Sequence, residues 1–182
     1  MTYRYIKNLR DSSAHKSSGP SKSTKVVPNF KSKASYRAWC AESKTDHIFY
    51  STAEGRAPSK RISSENPVNR VYGIVADYDA PVDWNLVDLK IGTVCKGDLP
   101  SWRTKTYSGY IRLVWEFENS VPIAPDMFAA FFKELKNALN IHKVFAGFDS
   151  TSLNAAQYFE LGSDWHQTGG KLSNATVQTA LL

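Results

Sequence analysis

Asp77 and Asp79 close the segment Gly73-Ile74-Val75-Ala76-Asp77-Tyr78-Asp79-Ala80-Pro81, where an apolar run passes straight into two carboxylates. On a strand, residues two apart project from the same face, so Asp77 and Asp79 point one way while Ile74, Ala76 and Tyr78 point the other. Like charges this close repel. One carboxyl is driven toward protonation unless a cation sits between them, and paired carboxylate oxygens are the ligands that Mg²⁺ or Mn²⁺ prefers. Taken alone, the pair equally describes a polar strand end followed by a turn at Asp79-Ala80-Pro81. Asp149 adds a third carboxylate, because Phe145-Ala146-Gly147-Phe148-Asp149 is again an apolar run ending in an acid. Three carboxylates brought together can hold two Mg²⁺ or Mn²⁺ ions, an arrangement that activates a 3′-hydroxyl and stabilises departing pyrophosphate during in-line attack on a nucleotide α-phosphate. By itself, Asp149 also suits a cap or turn ahead of Ser150-Thr151-Ser152.

Whether the three acids can meet depends on the elements that carry them. Residues 71–79 read as a strand and 83–90 as a helix; 93–96, extended by 101–103, read as a second strand and 109–117 as a third. The third is the clearest: Ile111, Leu113, Trp115 and Phe117 alternate with Tyr110, Arg112, Val114 and Glu116, as a strand with one buried face demands. A helix follows over 126–140, opened by Pro125 and Asp126, with Met127, Phe128, Phe131, Phe132, Leu135 and Leu139 on its apolar face. A last strand is expected near 144–148 or 157–161. The order β-α-β-β-α-β defines an α+β fold, an RRM-like split βαβ arrangement with an antiparallel sheet and both helices on one face. The first and last strands then lie at or next to the sheet centre, which lets Asp149 approach Asp77 and Asp79. Arg112 falls on the face opposite Ile111, Leu113 and Trp115, where a guanidinium can clamp a triphosphate bidentately or pair with Glu116 or a site acid.

The N-terminal part differs in character. Residues 1–70 hold 14 Lys/Arg against 5 Asp/Glu, whereas residues 71–182 hold 9 against 12, so the net charge of +6 hides a two-sided molecule. A basic part attracts a polyanion and an acidic part can hold a divalent metal. Residues 8–33 are rich in Ser, Lys, Pro and Asn, and they cannot bury enough surface to offset their ordering entropy. Residues 1–34 are therefore read as a flexible basic segment and 35–182 as one domain, with a smaller α/β module over 35–70 and the RRM-like module over 71–182. Within the smaller module, residues 36–50 suit a short helix followed by a strand, and Gly55 to Arg61 form a basic loop. At 182 residues and 42% hydrophobic content the chain can build one well-cored domain. Two cysteines, Cys40 and Cys95, are too few for a disulfide framework or a cysteine zinc site. The expected compartment is the reducing cytoplasm, because no signal peptide and no apolar run of membrane-spanning length is present. Neither a Walker-type phosphate loop nor an internal repeat is found.

In order and spacing these residues resemble the archaeo-eukaryotic primase (AEP) superfamily, in particular the primase-polymerase domains of phages and plasmids. Val75-Ala76-Asp77-Tyr78-Asp79 looks like its acidic first motif, Ser108-Gly109-Tyr110-Ile111-Arg112 stands where its Ser-x-His-type motif belongs, and Phe148-Asp149 looks like its third. The resemblance spans roughly residues 48–165. It implies an AEP-type catalytic core in which Asp77, Asp79 and Asp149 are catalytic and metal-binding. Ser108 and Arg112 would then contact nucleotide, although Arg112 occupies the position of the family's histidine. Arg56, Lys60 and Arg61, followed by Ser63, Ser64 and Asn66, resemble the basic stretch that precedes the acidic strand in related phage primases, which implies contact with nucleotide or template phosphate. Trp102, Arg103 and Lys105 offer stacking plus charge to a single strand. None of His15, His47, His142 or His166 falls at the expected histidine position.

The function expected on these grounds is metal-dependent, template-directed nucleotidyl transfer from (d)NTPs, making or extending primers in phage or plasmid replication. Single-stranded DNA and nucleoside triphosphates are the expected partners, with a replicative helicase domain as a further one if the chain is part of a longer primase-helicase. Two alternatives use the same residues: a non-catalytic module that binds an origin or single-stranded DNA, and a metal-dependent nuclease.

Overall fold

The computed structural model describes residues 4–8, 25–26, 47–57, 62–106, 108–160 and 162–182. In chain order the strands are β1 (Arg4–Asn8), β2 (Lys25–Val26), β3 (His47–Ser51), β4 (Ala53–Gly55), β5 (Val68–Tyr78), β6 (Trp102–Lys105), β7 (Ile111–Pro122), β8 (Phe148–Asp149), β9 (Phe159–Glu160) and β10 (Ser163–Gln167). The helices are α1 (Val87–Cys95), α2 (Phe128–Ala138), α3 (Ile141–Val144) and α4 (Asn174–Thr179), with a 3₁₀ turn at Ser150–Leu153.

The expected β-α-β-β-α-β unit is present as β5-α1-β6-β7-α2-β8. Its strands lie side by side in the order β6-β7-β5-β8, all antiparallel, with β10 added outside β6 and β4 sharing the outer edge of β5 with β8. A second sheet, β2-β1-β3-β9, joins three strands of the N-terminal part to β9. Two of them, β1 and β2, lie inside the segment expected to be a mobile arm, where β1 pairs with both β2 and β3. The expected short helix after residue 35 lies outside the described residues.

Alternation on β5 and β7 decides which side chains meet. Ile74, Ala76 and Tyr78 on β5 join Ile111, Leu113, Trp115 and Phe117 on β7 in one buried cluster with Val87 and Ile91 of α1 and Phe128, Phe131, Phe132 and Leu135 of α2. Truncating such a residue, as in Leu113→Ala, costs roughly 2–5 kcal/mol. Met127, expected on the apolar face of α2, is exposed instead, because the turn at 125–127 precedes the helix.

Two elements differ from expectation. Residues 93–95 belong to α1 rather than to a strand: Val87, Ile91 and Cys95 recur at the four-residue spacing of a helix face, and the helix continues until Lys96 and Gly97 turn to positive φ. Around the predicted last strand, residues 141–144 form α3, fastened by the buried Tyr78 hydroxyl donating to the Ile141 carbonyl at 2.7 Å, and the strand begins only at Phe148. Among the described residues, no helix is long and apolar enough to cross a membrane.

The sheet face away from the helices is not open along its whole length. Val75 and Val114 are buried there, and Tyr50 from β3, Phe159 from β9 and Trp165 from β10 form an aromatic group with Trp102 on the same side. The middle of that face is covered. Its end, at the C-terminus of β5, reaches solvent through the exposed Asp79.

Candidate active site

Asp77 occupies the last rung that β5 shares with β7 and has a charged residue on each side. Across the β5–β7 pair its register partner is Arg112; across the β5–β8 pair it is Asp149. Directly opposite positions in an antiparallel sheet share a face, so the topology puts Arg112, Asp77 and Asp149 in one row. Asp79 follows just beyond the strand, anchored by its backbone N–H to the Gly147 carbonyl at 2.7 Å. Asp77, Asp79 and Asp149 thus lie at the same end of β5, with Asp149 opposite Asp77 and Asp79 two residues on.

The surroundings of each acid differ. Arg112 holds Asp77 in a two-pronged ion pair, Nε to Oδ1 at 2.5 Å and Nη2 to Oδ2 at 3.1 Å. The arginine side chain is 4% exposed, against 17% for Asp77, and its guanidinium lies 5.1 Å from the Phe159 ring centre and 5.9 Å from that of Tyr50. Delocalised, weakly hydrated guanidinium tolerates this burial where a lysine would not. Asp149 is oriented locally: Thr151 gives it a backbone N–H bond at 2.8 Å and a hydroxyl bond at 2.7–2.8 Å. Asp79 has no such compensation among the described residues, and its carboxyl is held above its ordinary range, first by partial loss of solvent and then by the charges of Asp149 and Asp77.

Asp79 and Asp149 suit a hard cation, since a divalent ion of the magnesium type is commonly held by one or two carboxylates together with substrate phosphates. Among the described residues no group of three His, Cys, Asp or Glu stands together as a ready ligand set. Asp77 meanwhile has both carboxylate oxygens hydrogen-bonded by Arg112.

Backbone geometry fixes the approach of β8. Gly147 has φ of +71°, and a Cβ there would meet Ala80 Cβ, Ala80 N and the Asp79 carbonyl carbon at 2.9 Å, so only glycine lets the two acid-bearing loops come this close.

The remaining candidate residues are scattered. Ser108 is exposed at the tip of the β6–β7 hairpin, at the same end of the sheet as the acids. Arg56 is exposed just after β4, whose Gly55 is opposite Val68. Nine residues of strand separate Val68 from Asp77, roughly 30 Å, so Arg56 is not part of the acidic site. Lys60 and Arg61 lie outside the described residues. Trp102, Arg103 and Lys105 are split by the strand pleat. Trp102 joins Trp165 on the face of Asp77, whereas Arg103 pairs with Asp88 of α1 at 2.7 Å and Lys105 lies 5.2 Å above the Trp84 ring. Asp88 is correspondingly held below the ordinary carboxylate range, chiefly by its hydrogen bond from Arg103.

Tyr50, Phe159, Gly147 and Thr151 complete the site and were not singled out by sequence reasoning. The reading of Asp149 as a cap ahead of Ser150-Thr151-Ser152 holds as well: its side chain caps that turn by accepting the Thr151 backbone N–H. Tyr50 and Phe159 carry no local signal, because only the pairing of β3 with β9 brings them together.

Neither a protein-family profile nor a curated protein sequence matches the chain. A solved structure does: the AEP domain (PP-N190) of the cyanophage S-2L primase-polymerase (PrimPol) superimposes with a TM-score of 0.55, covering 100% of this chain and 89% of that one at 16% identity. The chain thus has an AEP-like α+β fold, distantly related in structure to a phage primase-polymerase domain.

Proposed function

We propose that this chain is a divalent-metal-dependent nucleotidyltransferase that adds nucleotides from (d)NTPs to a strand paired with single-stranded DNA, as a primase-polymerase does. The observation that carries the reading is the convergence of Asp77, Asp79 and Asp149 at the end of β5, with Asp149 opposite Asp77 and Asp79 two residues on. The fold shared with a domain whose name is that of a primase-polymerase supports the same reading.

Each residue has a role that its surroundings support. Asp79 and Asp149 supply the oxygen ligands for Mg²⁺ or Mn²⁺, with Thr151 fixing the orientation of Asp149. The metal, when bound, offsets the negative charge that develops on the transferring phosphoryl group. Arg112 acts as a positioning residue, holding Asp77 beside the other two acids. Ser108, at the hairpin tip on that end of the sheet, is placed to meet the nucleotide. Phe159 and Tyr50 exclude water from the Arg112 side of the pair.

Incubation of the chain with a 5′-labelled primer on a single-stranded template, nucleoside triphosphates and Mn²⁺ tests the reading. Products longer than the primer are expected, and Asp149→Asn should abolish them. Shorter products alone would assign the acids to a nuclease, and salt-sensitive binding with no change in primer length would assign the chain to a binding module.

A further inference from the structure

We infer that the acidic site holds a single protein-bound divalent cation, between Asp79 and Asp149, with the Arg112 guanidinium standing where a second cation would otherwise neutralise Asp77. The inference rests on the proposed metal-dependent reading and concerns how many ions the chain's own residues can hold.

Asp77 is the shared neighbour of the site, with Arg112 on one side and Asp149 on the other. In a two-ion site the central carboxylate must offer oxygens to metal, and the two ions stand roughly 3.5–4 Å apart. Here both Asp77 oxygens receive N–H donors from one guanidinium. A dication bridging Asp77 would face that fixed like charge at close range.

Arg112 is not placed to withdraw. It is 4% exposed, it projects from the middle strands of the sheet, and aromatic rings of β3 and β9 lie against its guanidinium. Vacating Asp77 would leave a buried cation without its carboxylate, a costly state in a low-dielectric setting. Asp149 differs in this respect. Its partner is Thr151, a neutral residue that sets no fixed positive charge against a metal. Asp79, beside it and solvent-facing, has no cation assigned to it among the described side-chain contacts. Local charge balance points the same way: Arg112 matches Asp77, and the two remaining carboxylates match one dication.

Electron paramagnetic resonance of Mn²⁺ titrated onto the full chain without nucleotide, so that only protein-held ions are read, tests the inference. An isolated, uncoupled Mn²⁺ spectrum is expected. Asp79→Asn and Asp149→Asn should each raise the Mn²⁺ dissociation constant by at least about tenfold, whereas the double variant Asp77→Leu/Arg112→Met, which removes both buried charges together, should change it by less than about threefold. A spin-coupled Mn²⁺ pair would overturn the inference while leaving the metal-dependent reading in place. Loss of Mn²⁺ in a folded double variant equal to that in Asp79→Asn would also overturn it. No Mn²⁺ bound by the wild-type chain would overturn both readings, and one bound ion with no nucleotide incorporation would overturn the proposed function alone.

Discussion

The backbone N–H of Asp79 donates to the Gly147 carbonyl at 2.7 Å, so the loop that carries one carboxylate is fastened to the loop that delivers another. Gly147 can make that contact only at its φ of +71° and without a Cβ. Gly147→Ala should therefore act twice. It destabilises the chain by about 1–3 kcal/mol through backbone strain, and it spreads Asp79 from Asp149, so Mn²⁺ affinity falls more than stability alone accounts for. Denaturant unfolding and Mn²⁺ titration of the same variant check the two effects separately.

The buried ion pair predicts an asymmetry between single and double substitutions. Arg112→Met leaves the Asp77 charge without its partner and should cost about 3–5 kcal/mol in urea unfolding. Combining it with Asp77→Leu removes both charges and should recover most of that loss. A double variant no more stable than Arg112→Met would mean that the guanidinium contributes mainly through its contacts with Tyr50 and Phe159.

Asp79 gives a pH signature. Its folded-state carboxyl lies above the ordinary value of 3.8, so folding favours its protonated form. For an acid raised in this way, ionisation costs stability. The cost sets in as pH rises past the ordinary carboxylate range and is complete above the raised value. Without metal, Asp79→Asn should raise Tm at pH 7, and the gain should vanish as pH falls below about 3.8. Saturating Mn²⁺ should reverse the order, raising the Tm of the wild type but not of the variant. Thermal melts across pH, with and without Mn²⁺, read both signs.

Thr151 offers a milder perturbation. Thr151→Val keeps the backbone N–H bond to Asp149 and removes the hydroxyl, so the fold should persist while metal affinity falls about 10–100-fold, the scale of outer-shell metal contacts. Thr151→Ser should restore it. Equal Mn²⁺ affinity in wild type and Thr151→Val would remove Thr151 from the site.

Much of this site could be read from the chain because its geometry follows from short periods. The period of two on residues 74–78 and 111–117 placed Asp77 and Arg112 on one face and the apolar residues on the other, and the β-α-β-β-α-β order placed β8 beside β5. The same period separates Trp102 from Arg103 and Lys105, which the pleat of β6 puts on the opposite face. Other features lay beyond local reasoning. Arg112 was expected on an open face, and its burial depends on Tyr50 and Phe159, about a hundred residues apart in sequence. The boundary of α1 was misplaced because Thr93, Val94 and Cys95 favour strands locally, while the spacing of Val87, Ile91 and Cys95 against the core favours a helix. Arg56 follows β4 beside the start of β5, whereas Asp77 is at the other end of that long strand, a separation that only the strand pairing reveals.

The central claim is that the acids at the end of β5 transfer nucleotides. The most direct measurement is incorporation of labelled nucleotide on a primed single-stranded template with Mn²⁺, comparing the wild-type chain with Asp79→Asn and Asp149→Asn variants whose folding is verified by their melts. Nucleotide-dependent extension by the wild type, reduced at least about a hundredfold in each variant, is the predicted result. Extension that persists in both folded variants, or a folded wild type that binds Mn²⁺ and template yet adds no nucleotide, would contradict it.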